Sequence, residues 1–453
     1  MKSSKVLFVC QHCGAQAQKW LGRCPDCGEW NSYVEEIQAP ADRRAAVNGR
    51  TPGGGRPQLY ADVDTVVSER ITTGIGELDR VLGGGLVPGS LVLLGGEPGV
   101  GKSTLLLQAA ARIAASVGPV LYGSGEESEH QIKMRGERLQ VAGAPLYLFA
   151  ETCVERLIEE IDRVSPALVI VDSIQTVFSL KMPSAPGSVG QVRQAATDLL
   201  FAAKGRNVPI ILVGHVTKDG SLAGPKVLEH VVDTVLYFEG GHHHAHRVVR
   251  AVKNRFGAVS ELGVFEMTAE GLVPVPNASQ LFLAERPAGV PGSAVTCAIE
   301  GSRPILVEVQ ALVSASSFGN ARRTANGFDP NRLALLLAVL EKRAGLSVAT
   351  DDVFVNVAGG MSVTEPAADL AVLAAVASSI RNRALAADAV VFGEVGLAGE
   401  VRAATQAALR IREAEQLGFT RAIVPDGNRL PDAPGGLTIA GVRTVGEALD
   451  ALF

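Results

Sequence analysis

No stretch of this 453-residue chain approaches the ~20 consecutive apolar residues that a membrane-crossing helix requires. The segment 1–8 is too short and polar for a secretory leader, so a cytoplasmic protein with no membrane partner is expected. Cysteine is scarce as well. Of six in all, four lie in the first 27 residues as two Cys-x-x-Cys pairs, while Cys153 and Cys297 stand alone among apolar neighbours. That distribution excludes a disulfide framework and points to metal binding in a reducing compartment. A strongly basic balance is also missing. The formal net charge of −5 gives no global pull towards nucleic acid, so any contact with DNA must come from local basic loops. Repeats of fixed period are absent.

What is present is an ordinary globular composition, 47% apolar and 20% charged, on a chain long enough for two large domains and a small one. Residues 1–38 form the small module. Residues 39–58, rich in Gly, Pro and Arg and without periodicity, read as a flexible linker. From 59 to 275, apolar runs at Ser90–Leu94, Val120–Tyr122, Leu168–Val171, Ile210–Val213 and Thr234–Phe238 alternate with helical patterns. Such alternation predicts an α/β fold, a mainly parallel sheet between helices. The segment 276–453 is a further α/β region, with helices expected at Pro330–Arg343, Pro366–Arg381 and Ala403–Leu417.

Cys10 and Cys13, then Cys24 and Cys27, place four thiolates on two tight turns, enough to close a tetrahedral shell around one structural Zn²⁺. Gly14 and Gly28 let the backbone curl towards the sulfurs, and a closed shell leaves His12 no place as a ligand. Trp20 and Trp30 are expected to supply the module's small apolar packing rather than a base-stacking platform. The sharpest motif is Gly96-Glu97-Pro98-Gly99-Val100-Gly101-Lys102-Ser103-Thr104, after one apolar run and before a helical pattern. In a phosphate-binding loop of this kind, backbone N–H groups approach the phosphates of ATP, Lys102 neutralises β/γ charge and Ser103 offers its hydroxyl to Mg²⁺. Asp172, ending the run from Leu168, is placed to hold the Mg²⁺ shell. Glu126 and Glu127 follow the neighbouring run, where RecA-like ATPases carry the base that polarises the attacking water. Glu126 is favoured, although spacing does not separate the two.

Together with Val171-Asp172-Ser173-Ile174-Gln175-Thr176 and Lys253-Asn254-Arg255-Phe256-Gly257, these motifs resemble the bacterial RadA (Sms) family of DNA repair proteins over essentially the whole chain. The resemblance implies a RecA-like P-loop core in a hexameric, DNA-stimulated ATPase that drives branch migration of recombination intermediates alongside RecA. It also implies that Lys253 and Arg255 act on the nucleotide of an adjacent subunit; without it they would be two solvated cations in a hairpin. Two Gly- and Pro-rich loops are candidate grips for the phosphates of single-stranded or branched DNA: 179–193, with Lys181 and Arg193, and 215–226, with Lys218 and Lys226. His215 is a candidate γ-phosphate sensor and equally a structural histidine. The histidine run 242–246 reads as a solvated hairpin tip rather than a metal tract.

The region from 276 resembles the proteolytic domain of Lon. Residues 359–369 lie where that family has its serine segment, and Gly399-Glu400-Val401-Arg402 where it has its lysine. Here the serine position is Ala367 and the lysine position Arg402, whose guanidinium stays protonated, so no Ser-Lys dyad exists and peptidase chemistry is not expected. An oligomerisation and DNA-contact platform using Arg322, Arg323 and Lys342 is the remaining use. A DnaB-like helicase and a KaiC-like signalling ATPase indifferent to DNA are the alternatives. The first leaves the C-terminal region unexplained, and the zinc module and the Lys253–Gly257 turn disfavour the second.

Overall fold

The computed structural model describes residues 5–10, 15–38, 59, 69–141, 145–215, 225–240, 246–316, 321–429 and 436–453. The expected linker 39–58 lies outside these residues. The chain divides into two compact units, 1–275 and 276–453.

In the first unit, Lys5–Cys10 pairs antiparallel with Gln16–Ala17 on one side and Tyr33–Gln38 on the other. The main sheet has nine strands among the described residues. In spatial order they are Gly271–Pro274, Leu262–Thr268, His246–Asn254, Thr234–Glu239, Leu91–Gly96, Ile210–His215, Leu168–Asp172, Val120–Ser124 and Leu146–Ala150. From Thr234–Glu239 to Leu146–Ala150 every pairing is parallel; the strands from 246 to 274 extend the sheet antiparallel.

Because side chains alternate across a strand, the apolar runs feed two cores. Val92 and Leu94 join Leu105, Leu106 and Ile113 of the helix Lys102–Ser116 on one face, while Leu91 and Leu93 join Leu157, Leu199 and Ala203 of the helices Val154–Val164 and Val189–Arg206 on the other.

Two strands run further than their apolar residues indicate. Gly95 pairs with Gly214 and Gly96 with His215, extending the ladder over residues of low strand propensity. A glycine is needed at 96, where a Cβ would stand 2.5 Å from the Phe238 carbonyl oxygen. The edge strand Leu146–Ala150 was not foreseen; a five-residue apolar run is too short for periodicity to separate strand from buried helix.

The second unit is a mixed seven-stranded sheet among the described residues, ordered Arg323–Asn326, Asp351–Val357, Arg303–Ala315, Ser293–Glu300, Ala389–Val391, Arg421–Pro425 and Thr438–Val442. The helix Asp369–Arg381 is apolar almost all round and correspondingly buried. The expected helix from Pro366 begins instead with a 3-10 turn, Pro366–Ala368, and the one expected from Ala403 runs over Ala407–Gln416. The helix Pro330–Ala344 starts where expected: Asp329 caps it by accepting from the Asn331 and Arg332 N–H groups, with Pro330 in the first turn.

Candidate nucleotide site and its distal cation pair

The parallel strands end together, so Gly96, Ser124, Asp172 and His215 come to one edge of the sheet, the edge at which open α/β sheets bind ligands. The loop that follows Gly96 turns through Gly99 (φ 77°) and Gly101 (φ 114°), left-handed conformations that disfavour any residue with a side chain. It delivers Lys102 as the first residue of its helix.

Lys102 is 4% exposed. Its Nζ donates to the carbonyls of Gly96 and Glu97, each at 2.9 Å, and lies 3.2 Å from His215 Nδ1. Burial lowers its pKa to about 8, with the Asp172 and Glu126 carboxylates opposing that shift. An ammonium has only donors, so the imidazole nitrogen facing it must be the acceptor, which puts the His215 proton on Nε2.

That Nε2 stands 3.2 Å from Glu126 Oε1. The ring N–H is not well aligned for a regular hydrogen bond, but its dipole still faces the carboxylate. Glu126 Oε1 also accepts from Ser173 Oγ at 2.5 Å. The His215 contact foremost, and Ser173 with it, hold the Glu126 carboxyl at about 2 against the opposite effect of its partial burial. Asp172, buried at its strand end, accepts from the Tyr122 hydroxyl at 2.7 Å; burial and that carboxylate raise the phenol well above its usual range. Glu127 is turned elsewhere, ion-paired with Arg135. The structure thus separates two adjacent acids that spacing left together.

The Lys253–Gly257 turn lies at the opposite edge. Thr234 pairs with Val92 near the start of the central strand and with Asn254, so the turn sits a strand length, about 16 Å, from the loop end of its own sheet. Each residue has a place. Lys253 Nζ donates to the Glu229 and Val232 carbonyls at 2.5 and 2.8 Å, and burial, with Arg255 beside it, lowers its pKa. Asn254 Oδ1 accepts from Thr234 Oγ1 and the Phe256 N–H. Arg255 Nη1 reaches Asp233 Oδ1 at 3.0 Å, Arg70 Nη2 holds the Phe256 carbonyl at 2.6 Å, and Gly257 packs so closely on Gly83 that a Cβ would stand 3.1 Å from its Cα. These anchors were invisible in the sequence because Arg70, Gly83 and Asp233 are distant along the chain.

The first candidate DNA loop is smaller than expected. Ser188 caps the helix Val189–Arg206, so Arg193 lies on that helix, exposed, rather than in a loop. Lys181 remains in the loop but pairs with Asp198 at 3.0 Å. Lys218, the Lys226 side chain and His242 to His244 lie outside the described residues.

Cys10, Cys24 and Cys27 bring their sulfurs within 4.8 Å of one another, with 3.7 Å between Cys10 and Cys27. A tetrahedral site with Zn–S bonds of about 2.3 Å has sulfurs about 3.8 Å apart, so the three fit the ion. Cys13 lies outside the described residues. Trp20 and Trp30 do not form the packing expected of them: they are 51% and 66% exposed, and the small core is Tyr33, Phe8 and Leu21 around the cysteines. The Arg23 guanidinium stacks over the Trp30 ring.

In the second unit, the Ala367 methyl is buried, while Arg402 is exposed and paired with Glu400 and Glu394. Arg410, fully buried, grips Glu365 through both terminal nitrogens and donates to the Cys297 carbonyl. Arg323 donates to the Val348 and Asp351 carbonyls, and Lys342 lies 3.5 Å from Glu341.

Residues 57–221 match a family model described as an AAA domain, and residues 8–35 one described as a rubredoxin metal binding domain. The whole chain is similar to the DNA repair protein RadA of Bacillus subtilis (strain 168), 50% identical over 452 residues that cover 99% of each chain. It is likewise similar to the protein of that name from Halalkalibacterium halodurans, 51% identical over 454 residues and 99% of each chain, and to that from Streptococcus pyogenes serotype M1, 50% identical over 455 residues and 100% of each.

Proposed function

Since the chain belongs to the RadA family of DNA repair proteins and is an ATP hydrolase, we propose that it is a DNA-dependent ATPase working as a hexameric ring. In this reading it drives branch migration of recombination intermediates, alongside RecA and on single-stranded and branched DNA. The observation that carries the reading is the distance between the two cationic sites. Lys253 and Arg255 are held at the sheet edge away from their own phosphate loop, too far to touch the nucleotide bound there. Cations so placed have a use if a neighbouring copy presents its nucleotide to them.

Within one site the roles follow from the contacts. The backbone N–H groups of residues 96 to 104 cradle the phosphates, and Lys102 exchanges its three protein acceptors for β/γ oxygens. Ser103 and Asp172 would hold Mg²⁺, which when bound neutralises charge on those oxygens. Glu126 is a carboxylate at every physiological pH and faces the same space, so it orients and polarises the attacking water. His215 touches both Lys102 and Glu126, and a change at either moves it. It sits where the chain enters the second candidate DNA loop, which makes it the relay between phosphate and polynucleotide. Lys181, Arg193, Lys218 and Lys226 are the proposed phosphate contacts, Lys181 on release from Asp198.

The test is ATP turnover with and without single-stranded DNA over a salt series, with particle imaging of the assembly. Stimulation by DNA that fades as salt rises, in particles of six-fold symmetry, is expected. Turnover indifferent to DNA would instead identify a signalling ATPase.

A further inference from the structure

The antiparallel extension of the main sheet, residues 246 to 274, meets the phosphate loop at two points and the helix that follows it at a third. Arg247 Nε donates to the Val100 carbonyl at 3.2 Å, and its Nη1 to the His246 carbonyl at 2.9 Å. Gly240 clears the way for that side chain, since a Cβ there would stand 2.3 Å from Arg247 Cδ. Gly101 sits directly under the extension: a Cβ on it would stand 2.8 Å from Met267 Cε and 3.3 Å from Leu272 Cδ1. Gln108, two turns into the helix that the loop opens, exchanges two hydrogen bonds with the Leu272 backbone, at 3.0 and 3.3 Å. Val100 lies between the two left-handed glycines of the loop, so the carbonyl that Arg247 holds belongs to its most conformationally free part.

The same strand, His246–Asn254, carries Lys253 six residues further on, about 20 Å away at the far edge of the sheet. Its register with Thr234–Glu239 shifts between Ala251 and Lys253, an irregularity of the kind that re-aims the side chains beyond it. One strand therefore touches its own phosphate loop at one end and bears the distal cations at the other.

We infer that Arg247 is a positioning residue that ties the nucleotide state of its own phosphate loop, through the strand His246–Asn254, to the presentation of Lys253 and Arg255 to the neighbouring copy's nucleotide. The inference rests on the reading that those two cations act across a subunit boundary. Loop closure on phosphates shifts the Val100 carbonyl, Arg247 follows it, and the shift passes along a strand that is paired with 262–266 over residues 246–250 and with 234–239 over residues 248–254. Sites around the ring would then fire in order rather than independently.

Two measurements on the full chain separate the inference from its premise. In the first, Lys102→Ala chains, expected not to hydrolyse, are mixed with Lys253→Ala chains, expected to be slowed but measurable. Some mixed boundaries join an intact loop to intact cations, so turnover should rise above that of Lys253→Ala alone; no rise would remove the cross-boundary reading itself. In the second, turnover is measured for Arg247→Ala, Lys253→Ala and the double variant, with binding of a fluorescent ATP analogue as control. Arg247→Ala should slow turnover by about fivefold or more while the analogue's Kd stays within about twofold, and Arg247→Lys, which can still donate to the carbonyl, should restore most of the rate. In the Lys253→Ala background the Arg247 change should add less than about twofold, because both act through one strand. Multiplying effects, or a loss of analogue binding that accounts for the slower turnover, would overturn the coupling while leaving the cross-boundary reading intact.

Discussion

At the scale of single residues, the nucleotide site is a chain of contacts running from Lys102 through His215 and Glu126 to Ser173. Glu126→Gln removes the charge proposed above to polarise water and should slow hydrolysis by about 100-fold or more while ATP still binds. Glu127→Gln loosens a pairing with Arg135 on the outer side and should cost less than about fivefold; single-turnover rates of the two variants check this. Lys102 gives a pH signature. Before nucleotide binds, its ammonium loses its proton as pH rises through about 8, so ATP binding above that pH must take up a proton. Calorimetric titrations in buffers of different ionisation enthalpy should show uptake at pH about 8.5 and almost none at pH about 7. The stability contribution has the matching sign. Between about 8 and 10.5 the unfolded chain still holds a proton that the folded chain has released, so this group's contribution to the unfolding free energy rises with pH across that window.

At the scale of elements, strand ends and helix starts decide what meets what. The phosphate loop joins a strand that is buried throughout to a helix with a buried apolar face, so its two ends are fixed while its glycines keep their freedom. In the second unit the helix Ala407–Gln416 carries Arg410 into the interior, where Glu365, the Cys297 carbonyl and the Phe392 ring surround it. Removing one member of such a pair leaves the other's charge without its partner. Arg410→Met should lower unfolding stability by about 3 kcal/mol or more, whereas Arg402→Ala, exposed and paired only at the surface, should stay within about 1 kcal/mol. Urea midpoints of the two variants give the comparison.

At the scale of the whole molecule, three modules contribute different things: a cysteine-lined ribbon, an ATPase core and a second α/β unit. No helix among the described residues is long and apolar enough to cross a membrane. The ribbon's core is only a few side chains around the cysteines, too little to hold without the metal. Atomic absorption should find about one zinc per chain, lost in Cys24→Ser, while ATP binding at Lys102 is retained because its contacts come from the main sheet.

The chain's own sequence was sufficient for whatever is local. The phosphate loop, the paired cysteines, the parallel strands and the family resemblance rest on residues close together in the chain, where spacing alone dictates backbone chemistry. Only the folded molecule could separate Glu126 from Glu127, because the difference lies in His215 and Arg135, which other elements bring. The same holds for Arg193, moved onto a helix by the Ser188 cap, and for Trp20 and Trp30, whose exposure follows from how few side chains the ribbon can bury. Arg247 gave no signal in the sequence at all; its meaning is its distance to Val100, 147 positions away along the chain. Contacts of that span depend on how sheets stack and register, and a pattern read along one dimension does not contain them.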